Sequence, residues 1–249
     1  RPEAFPHSGD CKPRRQKDRR AAPAPKKPIF RGLVNPGFPP QKAPAMKLYY
    51  VPGACSLAVH IVLREADYKF DLERVDLPNR KTESGADYLA VNPKGYIPAL
   101  QLDDGTALTE VAVILQYLAD QKPRRTLAPT PRTLERCRLR EWLNFISAEI
   151  HKTLGAFFKF KQTMTPEWRQ GMLGLVDQRF TALEKMLGSN QYIMGDDFSI
   201  ADAYLFTALN WPQFFQIDTS KWPAIQAYRA RVAARPAVKK AMKAEGLAK

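Results

Sequence analysis

Val91-Asn-Pro-Lys-Gly-Tyr-Ile-Pro-Ala-Leu100 is the stretch on which the fold turns. Asn92 to Gly95 carries a turn signal, and Ile97 to Leu102 is apolar enough for a buried strand. A proline directly before such a strand is awkward, because its nitrogen cannot donate to the ladder. A cis Ile97–Pro98 bond in a tight turn is one resolution, and a trans proline at the strand start is the other. The cis turn would leave the backbone of Ile97 at a sheet edge, open to pairing with an extended peptide.

Upstream, Met46-Lys-Leu-Tyr-Tyr50 is a short β-type run that ends in the turn Val51-Pro-Gly-Ala54. Ser56 then caps a helix in which Leu57, His60, Ile61 and Arg64 recur at helical spacing. Phe70–Val75 alternates like a strand, Asn79–Gly85 is a polar loop, and Ala86–Val91 holds one or two helical turns. Downstream, Ile97–Leu102 and Thr106–Leu108 flank the hairpin turn Asp103-Asp-Gly105. Glu110–Gln121 follows as a helix with Val113, Leu115, Tyr117 and Leu118 available to a core. The order β-α-β-α-β-β-α describes a compact α/β unit over residues 46–122. Lys122–Pro131, with three prolines, reads as a linker. From residue 131 to 249 only helical patterns occur, over Thr133–Leu154, Pro166–Leu187, Ser199–Leu209, Trp222–Ala234 and Pro236–Ala244.

The chain of 249 residues carries a net charge of +14, unevenly spread. Residues 1–45 hold 11 Lys+Arg against 3 Asp+Glu, a net of +8, and ten of the 21 prolines. This segment has no apolar period and is expected to be a disordered basic extension, since it cannot offset its ordering entropy by burial. It is either a targeting or nucleic-acid arm, or a translated leader upstream of a start at Met46. The remainder carries only +6 and shows no basic stripe interleaved with aromatics, which argues against nucleic acid as a partner. No apolar run has the length of a membrane span. Three cysteines, Cys11, Cys55 and Cys137, make neither a disulfide framework nor zinc spacing, and point to a reducing cytoplasm without a metal.

Four motifs carry chemistry, each beside a plainer reading. In Leu108-Thr-Glu110 the free N–H groups of a helix start favour a carboxylate, and Glu110 can accept an ammonium; the plain reading is an N-cap with an acidic first turn. Tyr50-Val-Pro-Gly-Ala-Cys-Ser56 places Cys55 and Ser56 at another helix N-terminus, where a thiol pKa falls, by about 2.7 kcal/mol for two units; otherwise Cys55 is a small buried residue and Ser56 a cap. In Glu141–Lys152, Asn144, Ala148 and His151 share one helix face beside Lys152, lining a cleft or simply facing solvent. Phe198-Ser-Ile-Ala-Asp-Ala203 is a capping-box variant, with Asp202 bonding back to Ser199, and its role is structural.

In their order, these motifs resemble the bacterial beta-class glutathione S-transferases. The run from Met46 to Lys249 is covered, through Asn92-Pro-Lys-Gly95, Ile97-Pro98, Leu108-Thr-Glu110, Gln116-Tyr-Leu-Ala-Asp120, Glu141-Trp-Leu-Asn144, His151-Lys152 and Phe198–Phe206. The resemblance implies a thioredoxin-like glutathione-binding domain, an all-helical second domain and a homodimer. It implies conjugation of the glutathione thiol to a small hydrophobic electrophile, with glutathione as co-substrate. Cys55, Ser56 and His151 are then the catalytic candidates. Tyr50, Ala54, Cys55, Ile97, Pro98, Glu110, Val111, Asn144, His151 and Lys152 are the glutathione-binding candidates. An apolar cleft is expected from Phe157, Phe158, Phe160 and Trp211. Thiol–disulfide exchange through Cys55, and ligand carriage with little turnover, stand as alternatives.

Two positions depart from the family pattern. Val111 stands where Gly or Ser is usual, and Ala148 where Ser or Thr is common; losing two neutral hydrogen bonds costs about 1–3 kcal/mol. Ser147 is expected to be no substitute for residue 148, because one step turns a side chain ~100° around a helix.

Overall fold

A computed structural model describes residues 46–247. The readings for residues 1–45 lie outside the described residues. A sheet of five strands has the order β3-β2-β1-β4-β5: β1 Lys47–Tyr50, β2 Asp71–Asp76, β3 Lys81–Thr82, β4 Ala99–Gln101 and β5 Ala107–Thr109. β1 runs parallel to β2 and antiparallel to β4, and the β4–β5 hairpin closes with Ala99 opposite Thr109. Helix α1, Ser56–Glu65, connects β1 to β2, and α2, Val111–Gln121, follows β5. This is the thioredoxin-like arrangement with a second, helical part: α3 Leu134–Phe145, α4 Lys152–Lys159, α5 Pro166–Leu187, α6 Ile200–Leu209, α7 Pro223–Ala233 and α8 Pro236–Ala244.

Three features differ from the sequence expectation. The polar loop Asn79–Gly85 contains β3, which pairs Thr82 with Val75 and Lys81 with Asp76. Two polar residues at a sheet edge show no alternation, so nothing in the pattern betrays them. The helix expected to stop at Leu154 continues to Lys159, and a π turn over Ile146–His151 joins α3 to α4. The strand expected from Ile97 begins at Ala99, after a cis Ile97–Pro98 peptide.

The strand period separates two packing faces. Leu48 and Leu100 point to the main core, whereas Tyr49 and Ala99 join Val75 and Tyr88 on the opposite face. α1 is buried from Ser56 through Leu63 without a solvent stripe. It lies between the sheet and α6 and α8, so one continuous apolar cluster spans both parts of the chain. α6 is likewise buried along its whole length. Its N-terminus is closed by the capping box: Asp202 accepts from the Ser199 N–H and hydroxyl and the Ile193 N–H, each at 2.8 Å, and from the Tyr228 hydroxyl at 2.9 Å. Burial pushes the Asp202 carboxyl upward while these donors pull it back.

The segment after α8 returns to the loop before α1. Glu245, in a fully buried pair, meets His60 Nδ1 at 2.8 Å with one oxygen and accepts the Gly53 N–H at 2.9 Å with the other. Arg64 Nε donates to His60 Nε2 at 2.9 Å, which leaves His60 Nδ1–H to donate to Glu245. The Gly53 carbonyl accepts the Trp211 indole N–H at 2.9 Å. A Cβ on Gly53 would stand 3.3 Å from Leu247, and its φ of +72° strains any other residue. Both backbone polar groups of Gly53 are therefore held by the helical part.

Glu245 accepts from two donors with two oxygens, whereas a glutamine offers one acceptor and turns an N–H toward a donor. Glu245→Gln is expected to lower stability by about 1–3 kcal/mol in urea unfolding. An unchanged midpoint and slope would show that the buried contacts contribute nothing net.

Candidate functional site

At the seam between sheet and helices lies a cavity of about 760 Å³. Its sheet-side wall is Val51 to Cys55, Tyr96 to Pro98, and Thr109 to Val111; its helix-side wall includes Ser147, His151, Lys152, Phe158, Tyr204 and Trp211. Two helices start in this wall. α1 begins after Cys55 and α2 after Glu110, so the positive ends of both helix dipoles lie at the cavity.

The turn before Pro98 is braced from within. Asn92 Nδ2 and the Tyr88 hydroxyl both donate to the Tyr96 carbonyl at 2.7 Å, and Asn92 Oδ1 accepts the Lys94 N–H at 3.2 Å. The Ile97 N–H has no protein hydrogen-bond partner among the described residues, consistent with an edge open to an extended peptide. Glu110 adopts φ 71°, a left-handed backbone that costs a non-glycine residue on the order of 1–3 kcal/mol. Its carboxylate receives the Lys94 ammonium at 3.1 Å, and Lys94 also reaches the Thr109 hydroxyl at 3.1 Å.

Of the two readings of Cys55, the structure takes the buried one. Its thiol donates to the Ile97 carbonyl at 3.3 Å, and burial pushes its pKa up to about 12 rather than down. The N–H groups of Cys55 and Ser56 pull in the expected direction, but desolvation outweighs them. Cys55 is a protonated thiol at neutral pH.

Of the candidates, Ala54, Ile97, Pro98, Glu110, Val111, His151 and Lys152 line the cavity with Cys55. Three of the candidates do not. The Ser56 hydroxyl turns inward, accepting the Val51 N–H and donating to the Val51 carbonyl, both at 3.2 Å; it closes the loop rather than capping the helix. Tyr50 falls on the core side of β1 by strand alternation and packs near His60, with ring centroids 6.5 Å apart. Asn144 opens into a separate depression with Cys137, Arg140 and Glu141.

Ser147, and not Ala148, lines the cavity with His151. The π turn explains this reversal. An α-helical count places 144, 148 and 151 on one face, but the wider i→i+5 turn advances each residue less and shifts that register. Of the four aromatic candidates, Phe158 and Trp211 line the cavity. Phe157 is core, against Phe215, and Phe160 stacks on Trp168 outside it. Phe214 completes the aromatic wall, 6.1 Å from Phe158 by ring centroids.

Lys94, Tyr204 and Phe214 were not identified from sequence. Lys94 stood inside a quoted motif and could have been read as a cation beside Glu110. Tyr204 sits in a helix buried all round, where no periodicity marks the face toward a cavity. Its hydroxyl lies 2.6 Å from His151 Nδ1. The His151 ring is also packed edge-on against Trp211, with centroids 4.9 Å apart at 76°. Burial, reinforced by the Lys152 ammonium, lowers the His151 pKa to about 4, so the ring is neutral at physiological pH.

The models of the glutathione S-transferase N-terminal and C-terminal domains match residues 53–121 and 154–236. A glutathione S-transferase, GstA of Escherichia coli O157:H7, is 44% identical over 202 residues, covering 81% of this chain and all of the relative. Among solved structures, a glutathione transferase from Methylococcus capsulatus is 60% identical with a TM-score of 0.78, covering 82% of this chain and all of that one. A sphingomonad glutathione S-transferase complexed with glutathione is 46% identical with a TM-score of 0.77, covering 81% of this chain and all of that one. Fold, cavity and likeness thus agree, and the chain belongs to the glutathione S-transferase family.

Proposed function

We propose that the cavity holds glutathione extended along the Ile97–Pro98 turn and joins its sulfur to a small hydrophobic electrophile. The convergence of two helix N-termini, an open strand edge and a neutral histidine on one cavity with an aromatic wall carries this reading. The γ-glutamyl end has an ammonium and a carboxylate, which suit the Glu110 side chain and the N–H of Val111. Val111 contributes through its backbone, since its side chain is in the core. Ile97 pairs with the cysteinyl residue, and Lys152, with Lys94 across the cavity, faces the peptide's carboxylates. Phe158, Trp211 and Phe214 form the surface for the electrophile.

In the reaction the glutathione sulfur forms a bond to the electrophilic carbon, the leaving group departs with its electron pair, and the thiol proton passes to solvent. An unperturbed thiol of pKa ~8.5 is only about 3% ionised at pH 7, and a shift to ~7 makes it half ionised. The α1 N-terminus and the polar groups of the helical wall act in that direction. Among the described residues no cluster of three His, Cys, Asp or Glu side chains suits a metal, and the proposed step uses none. We place the enzyme in the cytoplasm as a homodimer, on its sparse cysteines and on the family it belongs to; sedimentation at micromolar concentration tests the dimer.

Cys55 divides this reading from disulfide exchange. Its thiol is protonated and bonded to Ile97, which favours glutathione as the nucleophile. Cys55→Ser is expected to keep conjugation of a nitroaryl halide within about threefold, corresponding to less than 1 kcal/mol. Peptide-mapped alkylation of Cys55 should remain negligible from pH 7 to 9. Loss of conjugation in the serine variant, with retained reduction of glutathione mixed disulfides by the parent, would instead support the exchange reading.

The neutral His151 also sets a stability window. Its folded pKa of about 4 lies below the ordinary value of 6.5, so the unfolded chain binds more protons between them. This contribution is complete above pH 6.5 and is lost as the pH falls toward 4, for about 3 kcal/mol in all. His151→Gln should flatten the stability profile across that window in urea titrations. An identical slope in the variant would contradict a buried neutral ring.

A further inference from the structure

Two hydrogen-bond polarities fit the 2.6 Å contact between Tyr204 and His151. Either the phenol donates to Nδ1, which places the ring proton on Nε2, or Nδ1–H donates to the phenol oxygen, which leaves Nε2 a lone pair. The first makes His151 a hydrogen-bond donor to the cavity; the second makes it a base. The length of the contact separates them.

An imidazole nitrogen is a far better acceptor than a phenol oxygen, and a phenol is the better donor, so a contact this short favours O–H to Nδ1. Ser147 lies beside the Tyr204 hydroxyl on the same cavity wall. His151 Nε2 has no hydrogen-bond partner among the described residues and is not a buried unpaired atom, so in either polarity it is available to the cavity that His151 lines.

We propose that Tyr204 is a positioning residue that fixes His151 in its Nε2–H tautomer, so that His151 donates a hydrogen bond to the sulfur of bound glutathione and does not remove its proton. The inference rests on the glutathione-binding reading above. The low His151 pKa agrees with it, since a ring that resists protonation is a poor acceptor for the thiol proton. Lys152 and Glu110 are the other charged groups acting on His151, and neither engages Nδ1. The proton leaves to solvent, and the hydrogen bond stabilises the anion that remains. Edge-on packing against Trp211 fixes the ring plane, so the Nε2–H direction is set by the protein rather than by the ligand.

The test uses the full chain labelled with nitrogen-15 at histidine. His7, His60 and His151 are the only histidines, and a His151→Gln sample assigns the signals of His151. Long-range nitrogen–proton spectra at pH 7 are expected to show His151 neutral and protonated at Nε2, moving toward a tautomer mixture in Tyr204→Phe. The ultraviolet thiolate signal of bound glutathione should titrate about one pH unit higher in that variant, a roughly tenfold smaller thiolate fraction below the midpoint. Conjugation kcat below pH 7 should fall by a similar factor while KM for glutathione changes little. Should Tyr204→Phe not fold, the wild-type spectrum alone decides the tautomer. A wild-type His151 protonated at Nδ1 overturns the proposal, as does an unshifted glutathione titration in Tyr204→Phe. If the tautomer is as stated but the wild type binds no glutathione, the proposed function fails while the tautomer assignment stands.

Discussion

The site depends on the clamping of a single residue. Gly53 lies two residues before Cys55, in the loop that delivers the chain from β1 into α1. Its N–H is held by Glu245 and its carbonyl by Trp211, both from the helical part. Because α1 is buried on every side, that loop has no freedom to relax outward. The cavity wall on the sheet side is thus set by residues 192 and 158 positions away in sequence. Trp211 serves both walls at once, since the same indole that holds Gly53 packs against His151.

This arrangement accounts for the electrostatics of the cavity. Two helix N-termini and the Lys94 and Lys152 ammonium groups offer positive potential, against one carboxylate, Glu110, already paired with Lys94. A tripeptide with two carboxylates and a thiolate suits such a surface. The buried groups stay neutral: Cys55 as thiol, His151 as imidazole and Tyr204 as phenol. Charge belongs to the cavity rim and to the ligand, and the interior supplies oriented dipoles. Preorganised dipoles of this kind need no rearrangement when negative charge develops on sulfur.

Much of this was legible in the sequence where local rules govern. The β1 run and its turn, the Asn92–Pro98 punctuation, the helix start after Glu110 and the Ser199–Asp202 box each depend on a few neighbouring residues. Their structural counterparts stand where those rules placed them. Misreadings arose where tertiary context overrides the local pattern. Ser56 had the right type for a cap but closes a loop instead, and Cys55 had the right location for a low pKa but is too deeply buried. The π turn at Ile146–His151 moved Asn144 out and Ser147 in, and residue counting at 3.6 per turn has no signal for it. Tyr204 was invisible because a helix apolar on all sides carries no directional information.

Amide hydrogen exchange on the full chain, with and without saturating glutathione, tests the central claim most directly. The account predicts added protection at the N–H groups of Ile97, Val111, Cys55 and Ser56, with α5 and α7 unchanged. Those N–H groups are the backbone donors that the seam offers to a bound peptide. Protection confined to other elements, or no change at Ile97 and Val111 under conditions where conjugation proceeds, would contradict the placement of glutathione at this seam.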